Sequence, residues 1–218
     1  MSTRIKTFIF ISLAVVARGQ TGFGVDSHVL DASNAEMVWS ANRSLLSPVT
    51  NTQPELPGSV SVRALERPLE GKSLRLLQKA QELLQAGDFT KATEKLREAM
   101  KAPAAEPYAL SMLAAEHLKR SDYDSAIPML QSTLNMMPGV AANHSNLAWA
   151  LSVRGRNEEA LKEARRATQL DPGHARYRYV LGVILLRLNQ LEEAEFHLRK
   201  ASKEIASAGE ILRLNFRQ

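Results

Sequence analysis

In the stretch GDFTKATEKLREAM, Gly87 to Met100, apolar positions recur at helical spacing behind a glycine, and polar residues fill the opposite face. The same arrangement returns as SDYDSAIPMLQSTL from Ser121, GRNEEALKEARRAT from Gly155 and NQLEEAEFHLRKAS from Asn189, at intervals of 34 residues. Four copies at one period make the repeat a rule of construction. Each copy is predicted to be one helical supersecondary unit that buries its apolar face only against its neighbours.

Aligned without gaps, the units start at Ser73, Pro107, Ala141 and Ala175. The eighth place holds Ala80, Ala114, Ala148 and Gly182, and the twentieth Ala92, Ala126, Ala160 and Ala194. Residues this small on two consecutive helices let the axes approach closely. Larger groups flank them, among them Leu76 and Leu110, then Leu113, Leu147 and Leu181, then Leu83, Leu151 and Leu185. Gly87, Ser121, Gly155 and Asn189 stand at the fifteenth place, where a left-handed residue is expected to end the first helix. Asp88 and Asp122 are predicted N-caps of the next helix, Asn157 the cap of the third unit's second helix, and the fourth unit lacks one. Pro138 and Pro172 close the second and third units, where Ala104 and Ala206 stand in the others.

The period and these positions resemble the tetratricopeptide repeat, a 34-residue helix–turn–helix unit with a Trp, Leu-Gly, Tyr, Ala, Phe, Ala, Pro skeleton. The departures are His144 and Arg178 at the usual Trp place and no Tyr at the eleventh. The resemblance implies an all-α, right-handed superhelical solenoid. Its four repeats would cover 69–208 (units 73–106, 107–140, 141–174 and 175–208), followed by a truncated helix over 209–218 with Ile211, Leu212, Leu214 and Phe216. It also implies a concave groove lined by the first helix of each pair. Projecting the family's groove positions gives Leu77, Gln81, Tyr108, Lys119, Asn146, Trp149, Arg176, Tyr179, Val183 and Arg187 as the peptide-binding set. Such a strip, mostly apolar with two arginines at one end, suits a peptide with a few acidic groups. Trp149 and Tyr179 can equally pack between adjacent first helices. The carboxylate clamp of some relatives is incomplete, because Ser111, Ala115 and Val180 stand where two bases and an Asn are wanted.

Ahead of the repeats, MSTRIKTFIFISLAVVARGQ places Arg4 and Lys6 before an uncharged, mostly apolar run, Thr7 to Ala17, that ends in small residues. Residues 1–19 therefore read as a cleavable signal peptide, too short to span a bilayer, and the protein is expected to be periplasmic or secreted. Residues 20–68 hold Pro48, Pro54, Pro57 and Pro68 among many Ser, Asn and Thr, and read as a linker of low order. Two islands interrupt it, Asn34 to Leu46 and Ser59 to Pro68, either of which could dock on the repeats or on a partner.

Charge and chemistry narrow the function. Loss of Arg4, Lys6 and Arg18 lowers the formal net charge from +5 to +2, and from Leu69 onward 22 Lys and Arg are interspersed with 18 Asp and Glu. That is a solvated helical surface and not the basic stripe of a nucleic-acid binder. The chain has no cysteine, so disulfides, thiolate metal sites and cysteine nucleophiles are excluded. Its five histidines lack metal-site spacing, and no phosphate loop or nucleophile elbow occurs. The sequence predicts an exported scaffold that holds a protein or peptide partner, with no catalysis, cofactor, metal, nucleic acid or stable membrane span. The alternative is a self-associating envelope protein joined through its apolar C-terminal helix or linker.

Overall fold

The computed structural model describes Leu69 and residues 71–216. The expected signal peptide, 1–19, and linker, 20–68, lie outside them. Among the described residues there are nine α-helices and no strand: α1 (Gly71–Gln85), α2 (Phe89–Ala99), α3 (Glu106–Lys119), α4 (Tyr123–Met136), α5 (Ala141–Val153), α6 (Asn157–Leu170), α7 (Ala175–Arg187), α8 (Leu191–Ala201) and α9 (Ala206–Asn215). Consecutive helices pair as hairpins, and each hairpin packs on the next, giving a helical solenoid.

The eight repeat helices fall into two kinds. The second helix of every pair is amphipathic and buries the same three positions at i, i+4 and i+7: Ala92, Leu96 and Ala99; Ala126, Leu130 and Thr133; Ala160, Ala164 and Ala167; Ala194, Leu198 and Ala201. The first helices are different. Ala142 to Ser152 in α5 and Ala175 to Leu186 in α7, Arg178 excepted, are buried all the way round. α1, by contrast, buries only Ser73, Leu77, Ala80 and Leu84.

The turn within each pair is built the same way four times. Gly87, Ser121, Gly155 and Asn189 have φ of 79°, 59°, 77° and 58°. The amide one residue further on (Asp88, Asp122, Arg156, Gln190) donates to the carbonyl five residues before it, at 2.9 Å in all four. This is the Schellman arrangement, which satisfies carbonyls that a helix end leaves open. Asp88 and Asp122 then cap α2 and α4, accepting from the amides of Lys91 and Ser125. Asn157 does not cap α6 as expected. Arg156 occupies the cap position and makes no side-chain cap bond, while the Asn157 Oδ1 accepts from Ser152 Oγ at 3.2 Å. Gln190 likewise leaves α8 without a side-chain cap.

Side-chain size sets how closely each pair packs. Ala80, Ala114 and Ala148 are wholly inaccessible, as are Ala92, Ala126, Ala160 and Ala194 facing them. At Gly182 the approach is closer still, because a Cβ there would lie 2.7 Å from Leu198 Cγ and 3.3 Å from the Ala194 carbonyl. The buried apolar residues form two clusters that meet within α3. One joins Leu77, Leu84, Leu96, Ala109, Met112 and Leu113 of α1 to α3, the other runs from Ala114 and Leu118 through α9, and Met129 packs against both.

The C-terminal helix starts at Ala206 and not at Gly209. In the second and third units a proline occupies this place and holds the chain out of helix until Ala141 and Ala175. With alanine there the next helix begins three residues sooner. α9 lies back on α8: Ala208 and Ile211 are buried and Leu212 and Phe216 pack on the main cluster, while Leu214 is 61% exposed.

Candidate binding surface

The inner helices α1, α3, α5 and α7 stand side by side, and a polar ladder crosses the seams between them. Ser111 Oγ on α3 donates to Asn143 Oδ1 on α5 at 2.7 Å. Arg176 Nη2 on α7 donates to Asn146 Oδ1 on α5 at 2.8 Å. Nearer the helix ends, Arg187 Nη1 donates to the Ser152 carbonyl at 2.6 Å and to Ser152 Oγ at 2.7 Å. Ser111, Asn143, Asn146 and Arg176 are all buried. Buried polar groups are tolerable only when bonded, so the ladder fixes the angle between neighbouring repeats.

The ten groove residues expected from the sequence do not share one exposure. Leu77, Asn146, Tyr179 and Val183 are wholly buried, Arg176 is 4% exposed and Trp149 5%. Only Gln81, Tyr108, Lys119 and Arg187 are half-buried. Trp149 and Tyr179 belong to the main core cluster. Asn143 and Ser152 were absent from the expected set. They occupy the third and twelfth places of their unit, polar residues on a helix otherwise buried all round, and that mismatch was the available signal.

The surface is cationic. Burial lowers the Arg176 guanidinium from its ordinary value to about 10, still charged at neutral pH. Burial lowers Lys119 and Arg187 as well, and Glu116, 3.3 Å from the Lys119 Nζ, opposes the shift on Lys119. None of the ten residues is acidic. The surface therefore favours an anionic or acidic group over a basic one.

The histidines that might have carried chemistry are structural. His144, at the place where the family has Trp, sets Nδ1 2.6 Å from Glu163 Oε2 and Nε2 2.9 Å from the Pro138 carbonyl, tying α5 to α6 and to the preceding turn. It lines a cleft of about 250 Å³ with Gln131, Leu147 and Lys162, but both its ring nitrogens are engaged. His117 places Nδ1 2.8 Å from Asp122 Oδ2 and meets the edge of Phe89. Among the described residues no group of His, Asp or Glu could hold a metal ion, and no helix is long and apolar enough to cross a membrane.

The profile of the tetratricopeptide repeat family matches residues 77–134 and 145–208, together more than half of the chain. The chain is a tetratricopeptide repeat protein. Of curated proteins, the TPR repeat-containing thioredoxin TTL4 of Arabidopsis thaliana is 36% identical over 80 residues, which are 37% of this chain and 12% of that protein. The chain thus spans only a small part of this relative, and the dithiol chemistry of a thioredoxin needs cysteines that these 218 residues lack. Of solved structures, YrrB, described as a TPR protein with an unusual peptide-binding site, superposes with a TM-score of 0.56 at 21% identity, over 65% of this chain and 74% of that one. A thermophilic TPR protein of Thermus thermophilus gives 0.55 at 23%, over 65% and 81%. At these identities the superpositions establish the shared repeat fold.

Proposed function

We propose that this tetratricopeptide repeat protein is an exported scaffold that binds a protein or peptide partner along the inner faces of α1, α3, α5 and α7 and carries no chemistry of its own. The observation that carries the reading is the inner surface itself. α1, α3 and α7 present Gln81, Tyr108, Lys119 and Arg187 beside Trp149 of α5 and Arg176, Tyr179 and Val183 of α7, a mixture of aromatic area and cationic donors of the kind that dominates binding energy at interfaces. The peptide-binding site of YrrB shows that this architecture holds peptides in another protein. The layout of residues 1–19 supports export.

The test is capture of partners from an envelope extract by the wild-type chain beside a Gln81→Glu, Tyr108→Ala, Lys119→Glu variant whose circular dichroism is unchanged. Gln81 and Lys119 are half-buried polar groups, and Tyr108 packs on the edge of the core, so the unchanged circular dichroism is the control for folding. A partner held by the first and lost by the second, with Kd raised at least tenfold, is expected. Equal retention by both would remove the binding site from the inner face.

A further inference from the structure

We infer that two copies of this chain associate back to back through the exposed sides of α6 and α8, with the Phe196 rings of the two copies meeting at a two-fold axis. The contact lies on the outer helices, so it stands apart from the inner-face reading above and leaves the inner surface uncovered.

The first observation is an aromatic ring in solvent. α8 buries Ala194, Leu198 and Ala201, and Phe196 lies on its opposite side, 52% exposed. The same place of the other units holds Glu94, Pro128 and Lys162, so the repeat pattern does not call for an aromatic residue there. The His197 ring stands at right angles to that of Phe196, 5.2 Å between centres, and Lys200 Nζ lies 5.7 Å over the Phe196 ring. These contacts orient the ring without covering it.

The second observation is the order of charge around it. Glu192 precedes Phe196 by one turn and Lys200 follows it by one turn. One unit earlier, on α6, Glu158, Lys162 and Arg166 take the same three places. All four charged ends, Glu158, Glu192, Arg166 and Lys200, are exposed, and none forms an ion pair among the described residues. The two helices are tied into one surface by the ion pair of Arg165 with Glu193 at 2.8 Å. On α2 the three places read Thr90, Glu94 and Glu98, and on α4 Asp124, Pro128 and Ser132. The run from acid to base therefore belongs to the last two units and is not a property of every second helix.

Symmetry selects the occupant. Four residues advance a helix by about 6 Å, so Glu192 and Lys200 lie equally far to either side of Phe196, as Glu158 and Arg166 do about Lys162. A two-fold axis through Phe196, lying in the contact plane and perpendicular to the helices, sets α8 antiparallel on α8 and α6 on α6 of a second copy. Glu192 then meets Lys200 of the other copy and Glu158 meets Arg166, four complementary contacts around the stacked rings. Lys162 lies beside the axis, flanked by Glu158 of the other copy. A face whose charges invert onto themselves about one apolar point fits a second copy of itself. Two helices per copy make a small interface, so the association is weak and depends on concentration.

The test is the mass of the full chain in solution, followed by sedimentation equilibrium as concentration rises. The wild type is expected to pass from one chain toward two and to stop there, while Phe196→Glu, a change on an exposed side chain, stays at one. Glu192→Lys and Lys200→Glu each place like charges opposite one another and are expected to raise the dimer Kd at least about tenfold. An equal mixture of those two variants restores opposite charges at both α8 contacts, and its Kd is expected to return toward the wild-type value. A wild type that remains one chain at every concentration would overturn the inference. So would a dimer indifferent to Phe196→Glu, which would lie on another surface, or a mass that grows beyond two chains. A mixture that associates no better than its parts would overturn the antiparallel register and the inference with it. Partner capture by the inner-face variant decides the binding reading separately in every case.

Discussion

At the scale of single residues the fold is set by size and by backbone conformation. Gly182 is the sharpest case, since a methyl group there meets Leu198 at 2.7 Å inside a contact where the other three units already use alanine. Gly182→Ala is expected to destabilise the protein by about 1–3 kcal/mol through overpacking, read as a lower urea midpoint at unchanged slope. The left-handed fifteenth place was legible from Gly87, Gly155 and Asn189. Ser121 was legible only through the alignment, because serine alone does not announce φ of 59°. Packing of Trp149 and Tyr179 was one of two readings open in the sequence, whereas the burial of Arg176 was not legible. Period assigns a residue to a face, but how deeply that face is buried depends on how neighbouring units stack.

At the scale of elements, pairing of first and second helices follows from the periodicity, with α5 and α7 nearly all buried and α1 buried along one face only, and caps decide where the second helices begin. The sequence located the caps of α2 and α4 because aspartate follows the turn residue directly. It misplaced that of α6 by one position, where Asn157 enters the helix and spends its oxygen on Ser152. The two aspartates make stability depend on pH. Hydrogen bonds from the side chain and then the amide of Lys91 hold Asp88 below the usual carboxylate value, and those from the side chain and amide of Ser125, with His117, hold Asp122 below it. A lowered native pKa means the contribution is complete above the unfolded value of about 4 and is lost as pH falls through the native one. An Asp88→Asn, Asp122→Asn variant, which keeps cap acceptors but cannot titrate, is therefore expected to lose less of its melting temperature between pH 7 and pH 3 than the wild type. An equal loss would separate the caps from acid sensitivity.

At the scale of the molecule, the apolar core is two clusters joined within α3 and bridged by Met129. The six-residue connection over 100–105 lies between the first and second units, whereas 137–140 and 171–174 are shorter. Stability in such arrays is a sum of units and interfaces, and a thin interface lets one end open by itself. Native-state hydrogen exchange is expected to release the amides of α1 and α2 at lower free energy than those of α5 to α8. Exchange of all of them through a single global opening would contradict a divided core. The overall architecture was legible from the period, while the division was not, because every unit carries the same small-residue signature.

The central claim is that the inner face of this tetratricopeptide repeat protein is its working surface. The most direct measurement places a photo-crosslinking residue singly at Gln81, Tyr108 and Lys119 on inner helices and at Lys95, Ser132 and Gln169 on second helices, then irradiates each protein with the envelope extract. Adducts to a partner protein from the first three positions, and none from the other three, are the predicted result. Adducts from the second helices alone, or equally from both sets, would contradict it.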